Sequence, residues 1–321
     1  MRKMQWYMAA SYVGAIVGAG FASGQETLTF FVTYGSSGLI GILVVTLGFV
    51  AMGALNFGLA QEMRAGSYRE LLETVIGYRW AKYLDAIITC FLLAGIGVML
   101  AGAGSLVYQQ WDVSPLVGVL TTALIAGTSC HLGIEGVFWL NTLLVPGIVL
   151  ATAALGLIGV GHLLPNFSQI GLKVLWRIDP SLLVPNWWLA AIIYISYNSM
   201  LGIAACTSLA ASLPQKRSPI WGGVAGGLAL GLMLLGGSLA VWGTGPETTQ
   251  AAVPMAWIAT RTHPIVGSLY GVIIWSAMLT TAATNLFAVV KRLGREPGPA
   301  VLGSLLSLAL GLSLVGFSAL I

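Results

Sequence analysis

The stretch that decides the fold is VGAIVGAGFASGQET, from Val13 to Thr27. It lies inside the first long apolar run of the chain, and its glycines are followed at once by Gln25 and Glu26. A carboxylate at membrane depth is costly and marks a functional site by default. Each glycine also lowers helix propensity by about 1 kcal/mol relative to alanine. The stretch therefore raises the question of why a membrane helix contains both a carboxylate and so many glycines.

The composition indicates an integral membrane protein. The 321 residues are 57% hydrophobic and 7% charged, whereas a soluble domain is about 25% charged. Many apolar runs exceed the roughly 20 residues that a bilayer helix needs, and none shows the alternation of an outer-membrane strand. The net charge of +4 comes from basic residues scattered between apolar runs, where they act as topology signals. We therefore predict an all-α polytopic membrane protein.

Nine apolar spans are predicted, and together they form a single transmembrane domain over residues 1–321. The spans cover residues 5–34, 38–61, 83–108, 115–130, 137–161, 187–212, 220–243, 265–291 and 299–321. The links between them hold the charge and most of the proline. The long link at 244–264 has an apolar–polar middle, which predicts a short surface helix.

The basic residues orient these spans. With the N-terminus placed in the cytoplasm, 11 of the 14 lysines and arginines fall in inner segments and 3 fall outside. The inner set is Arg2, Lys3, Arg64, Arg69, Arg79, Lys82, Lys216, Arg217, Lys291, Arg292 and Arg295, and the outer set is Lys173, Arg177 and Arg261. Cytoplasmic loops carry such an excess of positive charge. We expect a multi-pass protein of the inner (plasma) membrane with its C-terminus outside.

Two explanations compete for the glycines of span one. They fall in two pairs spaced four residues apart, a pattern that lets neighbouring helices pack closely. Alternatively, Gly18-Ala19-Gly20 breaks the helix near mid-span, and the freed backbone groups bind an ion or a solute. Irregular backbone at membrane depth is tolerated only against protein or water. Packing does not account for Gln25 and Glu26, so we favour the break.

Span six carries a second interruption. Its middle reads SYNSMLG over residues 196–202, four polar-capable residues that lead to a glycine. Transporters with one broken helix often have a second in the matching position of an inverted repeat. We therefore predict discontinuous helices one and six, opening near 17–21 and 196–200. The repeats would cover residues of about 5–161 and 187–321.

These features resemble the LeuT-type fold of the amino acid–polyamine–cation superfamily. The segment GAGFASGQE of span one is similar to that of the bacterial YkvI-like membrane proteins. The resemblance implies an inverted repeat of ten helices, of which five and four are visible here. The residues from Pro299 onward are too few for two spans of about 20 residues. Either nine helices suffice, or a second protomer of a homo-oligomer supplies the missing tenth helix.

Span eight carries the most specific motif, SAMLTT over residues 276–281. It resembles a small-x-x-Thr-Ser/Thr motif of sodium-coupled members, and this resemblance implies a sodium site. Its ligands would be the carbonyls of Gly14, Val17 and Ala277 and the hydroxyls of Thr280 and Thr281. Such oxygens suit a hard cation. Alternatively, the threonines bond back to carbonyls of their own helix. A second sodium site is not expected, since Phe21 replaces the asparagine of relatives.

The resemblance places a solute between the two breaks. Its walls would be Gly18, Gly20, Phe21, Ser23, Tyr197, Asn198 and Ser199, with Tyr197 as a stacking lid. Span three would add contacts near Cys90 and Ala94. Helix-terminus amides at the first break favour an anionic group such as an amino-acid carboxylate.

The function predicted is therefore secondary active transport of an amino acid or related polar solute by alternating access, coupled to sodium. Glu26 would face the bundle interior and accept hydrogen bonds from donors such as Gln25, Ser23 or Tyr197. It would thereby gate the path of the solute. In one rival hypothesis, Glu26 loads a proton in place of sodium. In another, the scaffold is a channel or a sensor. No phosphate loop, catalytic triad or zinc spacing is present in the sequence, so neither an enzyme nor an organic cofactor is expected.

Two further polar pairs are present. His131 and Glu135 are a weak metal pair that lacks a third ligand. Asp85 is expected to form a local ion pair with Lys82 or a gate contact.

Overall fold

The computed structural model describes residues 2–170, 175–176, 184–211, 219–251, 253–294 and 296–313. Within these residues the chain is helical and contains no strand. The helices are α1 (Arg2–Ile16), α2 (Ala19–Ser23), α3 (Gln25–Phe30), α4 (Ser36–Glu62), α5 (Tyr68–Ile76), α6 (Tyr78–Trp111), α7 (Pro115–His131), α8 (Gly133–Ile170), α9 (Trp187–Ala210), α10 (Ile220–Thr244), α11 (Pro254–Thr262), α12 (Pro264–Arg292) and α13 (Pro299–Ser313).

The predicted spans all correspond to helices. Six helices (α4, α6, α8, α9, α10 and α12) are long and apolar enough to cross a membrane, and α7 and α13 are shorter apolar helices. Span one is divided into α1, α2 and α3. The end of span nine, beyond residue 313, lies outside the described residues. So do five of the cations used for orientation, namely Lys173, Arg177, Lys216, Arg217 and Arg295.

Helix α12 is the central element of the bundle. In its most apolar 18-residue window, 83% of the residues are buried, against 33% for α4 and for α8. It packs against α1, α6, α7, α8 and α9. A helix buried on nearly all sides can carry polar side chains only where they meet protein groups. The threonines of span eight, Thr280 and Thr281, are therefore buried where α12 packs against its neighbouring helices.

Glycine explains how the outer helices approach one another. The backbone of α10 touches that of α4 where Gly223 meets Gly53, and it touches α8 where Gly243 meets Gly159. A Cβ atom at any of these positions would overlap backbone of the facing helix. Small residues at such crossings allow the close packing on which membrane helices depend. Much of the glycine in the sequence therefore serves packing outside span one.

A short helix forms in the link between spans seven and eight, as predicted, and one of its faces is buried. The link consists of a 3-10 turn (Pro246–Gln250) followed by α11. Pro254, Met255 and Ile258 of α11 are buried, and Met255 lies against Gly24. Helix α11 therefore packs its buried face against span one at Gly24.

An ion pair joins α6 and α12 at one end of the bundle. Arg292 donates from Nε to Asp85 Oδ1 (2.9 Å) and from Nη2 to Asp85 Oδ2 (2.5 Å). Asp85 therefore pairs with Arg292. The local ion pair with Lys82, which was one of the two alternatives predicted, is not the pair that forms. The buried Tyr68 of α5 shares a 2.8 Å hydrogen bond with Thr89, one turn further along α6. Burial raises the pKa of Tyr68 to about 12.

Candidate functional site

The helix of span one breaks at Val17 and Gly18, as the sequence predicted. The amide of Gly18 bonds to the carbonyl of Ile16 (2.8 Å) instead of that of Gly14, four residues earlier. Gly18 itself has an extended backbone, with φ −90° and ψ −162°. The carbonyl of Gly14 is thereby released from the helical pattern, in which each carbonyl accepts from the amide four residues later.

A second interruption follows at Gly24. This residue has φ 83° and ψ 0° and separates α2 from α3. A residue with a side chain is strained in this left-handed region, whereas glycine adopts it freely. The turn redirects the chain so that Glu26 folds back, and its Oε1 lies beside Gly20.

Thr281 connects α12 to the break. Its hydroxyl donates to the carbonyl of Gly14 (2.8 Å) and lies 3.1 Å from the carbonyl of Val17. The hydroxyl of Thr281 therefore lies within hydrogen-bonding distance of two of the other oxygens predicted for sodium. Thr281 is 2% exposed, so these groups are removed from bulk water.

The other two predicted ligands belong to α12 itself. The hydroxyl of Thr280 bonds to the carbonyl of Ala277 at 3.0 Å, which is the local arrangement named as the alternative to metal binding. The side chain of Thr280 nevertheless lies near the break, because a Cβ atom at Gly14 would lie 3.3 Å from Cβ of Thr280. The amide oxygen of Asn141, from α8, occupies the space beside Gly14 that a side chain would take. A side chain at position 14 would displace this amide.

Glu26 is held by two tyrosines of span six. Its Oε2 accepts from the hydroxyls of Tyr197 (2.7 Å) and Tyr194 (2.9 Å). The Tyr194 and Tyr197 rings pack edge to face with centroids 5.3 Å apart, and Phe30 lies against both. We call Glu26, Tyr194 and Tyr197 the Glu26 cluster. The carboxylate faces other helices and not lipid. The hydrogen bonds that it accepts are assisted by its charge, which strengthens each of them.

The other donors considered for Glu26 bind elsewhere. The side chain of Gln25 donates to the carbonyl of Ala251 (3.2 Å). The hydroxyl of Ser23 donates to the carbonyl of Gly20 (3.0 Å) and accepts from the amide of Gln25 (3.3 Å). Tyr194 was not among the predicted site residues. Its signal was present, since it precedes Tyr197 by three residues and therefore shares its helix face.

Span six is continuous, so the predicted second break is wrong. Helix α9 runs without interruption through residues 196–200. The polar side chains there bond to carbonyls of their own helix: Ser196 to Ile192 (2.7 Å), Asn198 to Tyr194 (2.9 Å) and Ser199 to Ile195 (2.6 Å). Side chains of this type can satisfy themselves one turn back without opening the backbone. The polar run therefore marks a helix face and not a gap.

Helix α6 approaches the break with residues other than those predicted. Cys90 and Ala94 lie on an outward face with Ala86 and Ile87, which corrects the predicted contacts of span three. Met99 instead lies beside Gly18, where an added Cβ would be 2.9 Å from its methyl carbon. The side of α6 that faces the break is therefore not the side that was predicted from Cys90 and Ala94.

The remaining predicted wall residues lie around the break but differ in their surroundings. Gly18 is near Thr281 and Met99, and Gly20 is near Glu26. Phe21, Ser23 and Asn198 are buried, and Ser199 is partly buried. The structure therefore places Gly18 and Gly20 beside groups of the site, whereas the amide nitrogen of Asn198 and the hydroxyl of Ser199 donate within α9.

The pair His131 and Glu135 has no third ligand among the residues that the structure describes. The ring Nδ1 of His131 lies 2.8 Å from the carbonyl of Pro297. Within the described ranges, no group of three or more His, Cys, Asp or Glu side chains is placed to hold a metal ion.

Two proteins of Bacillus subtilis (strain 168) are similar in sequence. Uncharacterized membrane protein YkvI is 28% identical over 287 residues, which cover 89% of this chain and 80% of that protein. Uncharacterized protein YyaD is 23% identical over 290 residues, 90% of this chain and 81% of the other. The expected likeness to YkvI is confirmed. No family model matches the sequence.

Solved structures show which fold this is. MhsT in complex with L-phenylalanine superimposes with a TM-score of 0.67 at 17% identity, covering 98% of this chain and 79% of that one. Mhp1, a nucleobase-cation-symport-1 family transporter, gives 0.56 at 13% identity (98% and 70%). The Eremococcus coleocola manganese transporter gives 0.54 at 15% identity (97% and 68%). The chain has the LeuT-type fold of a polytopic membrane protein, as predicted.

Proposed function

We propose that this protein is a secondary active transporter that couples a sodium ion to a small polar organic solute, an amino acid or a related compound. The observation that carries the proposal is the contact between Thr281 and the break. Its hydroxyl lies 2.8 and 3.1 Å from two backbone carbonyls of span one. A cation bound there would be shared by α1 and α12, and its binding would therefore depend on how these helices are placed.

The fold supports the same class of function. Two of the similar structures are named as transporters, and one of these as a cation symporter. Fold alone does not fix function. The proposal therefore rests on the contact of the Thr281 hydroxyl with the carbonyls of Gly14 and Val17. In this proposal the amides of Gly20 and its neighbours at the start of α2 bind an anionic group of the solute, with Phe21 and Ser23 beside it.

Proton coupling through Glu26 is the second candidate. The observation that favours it is the Glu26 cluster, where two hydroxyls donate to one carboxylate oxygen. Protonation of Glu26 would change these bonds and loosen α3 from α9. In the first candidate the same cluster holds the outer half of span one in place without titrating.

Sodium binding is tested on the purified chain by thermal unfolding in NaCl and in KCl at equal ionic strength. A ligand that binds the folded state stabilises it by RT ln(1 + [L]/Kd). We expect sodium to raise the unfolding temperature of the wild type. Thr281→Ala and Thr280→Ala should each reduce this shift, because each removes one oxygen.

Ser276→Ala is the matched control. Its hydroxyl is buried on the same helix but bonds to the carbonyl of Val272 (2.8 Å) and not to span one. The sodium shift should therefore persist in this variant. A wild type that responds equally to sodium and potassium would refute the sodium site. In a separate experiment, saturable counterflow of solute in vesicles would distinguish a transporter from a channel.

A further inference from the structure

A groove opens between α1 and α8 at the end of the bundle where both helices begin. Its volume is about 580 Å³, and its lining consists of Tyr7, Glu135, Phe138, Trp139, Thr142 and Leu143. The ring of Tyr7 stacks on that of Phe138, with centroids 5.4 Å apart and an angle of 22° between the ring planes. The groove therefore has an aromatic wall to which both helices contribute, and Glu135 is the charged member of its lining.

The exposed face of α8 indicates the depth of this groove in the membrane. Four leucines recur every seven residues on that face and are 58–72% exposed, namely Leu143, Leu150, Leu157 and Leu164. From the first to the last of them the helix rises about 32 Å, which matches the roughly 30 Å hydrocarbon core of a bilayer. Trp139 precedes this row by one turn and is 65% exposed, at the interfacial level where tryptophan is enriched. Glu135, one further turn back, then lies at the level of the lipid headgroups.

Two opposite charges lie beside the groove. Glu135 and Lys3 are both exposed, and neither forms an ion pair with another of the residues that the structure describes. The Nζ atom of Lys3 lies 5.9 Å from the centroid of the Tyr7 ring. A carboxylate on α8 and an ammonium group on α1 complement a ligand that itself carries a cation and an anion.

A zwitterionic aminophospholipid has this combination of groups. Its ammonium group donates hydrogen bonds to a carboxylate and is attracted to the faces of tryptophan and tyrosine rings. Its phosphate accepts from a lysine, and its acyl chains cover apolar side chains such as Leu143. The trimethylammonium group of phosphatidylcholine has no N–H to donate, and phosphatidylglycerol has no cation for the carboxylate.

We infer that the groove binds the headgroup of phosphatidylethanolamine, with its ammonium group at Glu135 and its phosphate at Lys3. The lipid comes from the leaflet at this end of the bundle, which is the cytoplasmic one in the predicted orientation. A lipid bound there contacts both helices and stabilises the packing of Tyr7 on Phe138. Because α1 leads to the break in span one, the site links lipid composition to the position of the inner half of that span.

The test measures lipid binding to the purified full chain in detergent at low ionic strength, by native mass spectrometry and by thermal unfolding. The probes are phosphatidylethanolamine, phosphatidylcholine and phosphatidylglycerol with identical palmitoyl-oleoyl chains. We expect the wild type to bind phosphatidylethanolamine roughly threefold to tenfold more tightly than the other two, and to unfold at a higher temperature in its presence. Glu135→Gln should abolish this preference and, on an exposed side chain, change the unfolding temperature without lipid very little.

Two further variants test the two ends of the headgroup separately. Glu135→Lys should reverse the preference in favour of phosphatidylglycerol, because a cation then attracts the anionic lipid. Lys3→Gln should weaken the binding of all three lipids without changing their order, since all three carry the phosphate. Glu62→Gln is the matched control. Glu62 is an exposed carboxylate at the end of α4, and its replacement should leave the preference unchanged.

The lipid site is wrong if the wild type binds the three lipids equally, or if Glu135→Gln retains the preference. It is also wrong if Glu62→Gln removes the preference to the same extent, because the effect would then be one of net charge. If Lys3→Gln leaves all three affinities unchanged, the phosphate is not held as inferred. If water-soluble glycerophosphoethanolamine stabilises the chain as much as the lipid at equal concentration, the groove takes a soluble ammonium compound and the lipid assignment is overturned.

Discussion

At the scale of single residues, Glu26 shows how a carboxylate is accommodated inside this bundle. Its Oε2 accepts two tyrosine hydroxyls, at 2.7 and 2.9 Å, from consecutive turns of α9. The sequence predicted that Glu26 faces inward and named Tyr197 as a donor. Tyr194 escaped prediction because a tyrosine in an apolar helix is usually an interface or packing residue. Only the fold of span one around Gly24 brings Glu26 within reach of both.

Removing one donor should weaken this cluster measurably. Tyr197→Phe is expected to lower the free energy of unfolding by about 1–3 kcal/mol, because a hydrogen bond to a charged group is lost in a buried place. In a Glu26→Gln background the same change should cost less, so that a double-mutant cycle of thermal unfolding gives a coupling of about 1 kcal/mol or more. Tyr83→Phe, on an exposed side chain, serves as control. Additive effects would show that the bond carries no stability.

At the scale of elements, the two predicted breaks had opposite outcomes for one physical reason. In span one, the glycines lower the helix propensity. They also provide no side chain that could donate a hydrogen bond to a free carbonyl of the same helix. Thr281 then satisfies it from another helix. In span six, the polar side chains bond to carbonyls one turn back. Composition alone does not distinguish these cases, because a polar run in an apolar helix is compatible with both.

The ion pair between α6 and α12 should lock these elements at one end of the bundle. Asp85 is nearly buried (4% exposed) and Arg292 is partly exposed (23%). Breaking such a pair leaves an unpaired charge, which costs about 3–5 kcal/mol when both groups are fully buried. We expect Asp85→Asn to lower the free energy of unfolding by about 2–4 kcal/mol, measured by thermal or denaturant unfolding in detergent.

An exposed pair provides the comparison for this prediction. Arg69 and Glu73 lie on the surface of α5 with 39% and 31% exposure, and Glu73→Gln should change stability by less than about 0.5 kcal/mol. The double variant Asp85→Leu with Arg292→Met should be milder than Asp85→Asn alone, since it leaves no unpaired charge. If Asp85→Asn is as mild as Glu73→Gln, the pair does not hold the two helices together.

At the scale of the whole molecule, the sequence predicted the class, the order of spans and the first break. These follow from hydropathy and from glycine, which act locally along the chain. The side of α6 that faces the break, shown by Met99 in place of Cys90 and Ala94, was not predicted. The choice of face depends on how α6 is rotated against α12, and an apolar helix such as this gives little periodicity from which to deduce its rotation.

The structure also groups the cations that oriented the molecule. The ion pair of Asp85 with Arg292 places the start of α6 and the end of α12 at one end, together with Tyr68 of α5. Arg261 belongs to α11, which precedes the start of α12 and therefore lies at the opposite end. Helix α12 alone is about 43 Å long at 1.5 Å per residue, enough to separate the two ends across a bilayer of about 30 Å.

We therefore predict that Arg69 faces the cytoplasm and Arg261 faces outward. Both arginines lie in exposed ion pairs, so replacing either by cysteine should cost little stability. In a background with Cys90, Cys130 and Cys206 replaced by alanine, a membrane-impermeant maleimide should label Arg261→Cys in intact cells. Arg69→Cys should be labelled only after permeabilisation. The reverse pattern would invert the orientation, and labelling of both in intact cells would contradict their separation by the membrane.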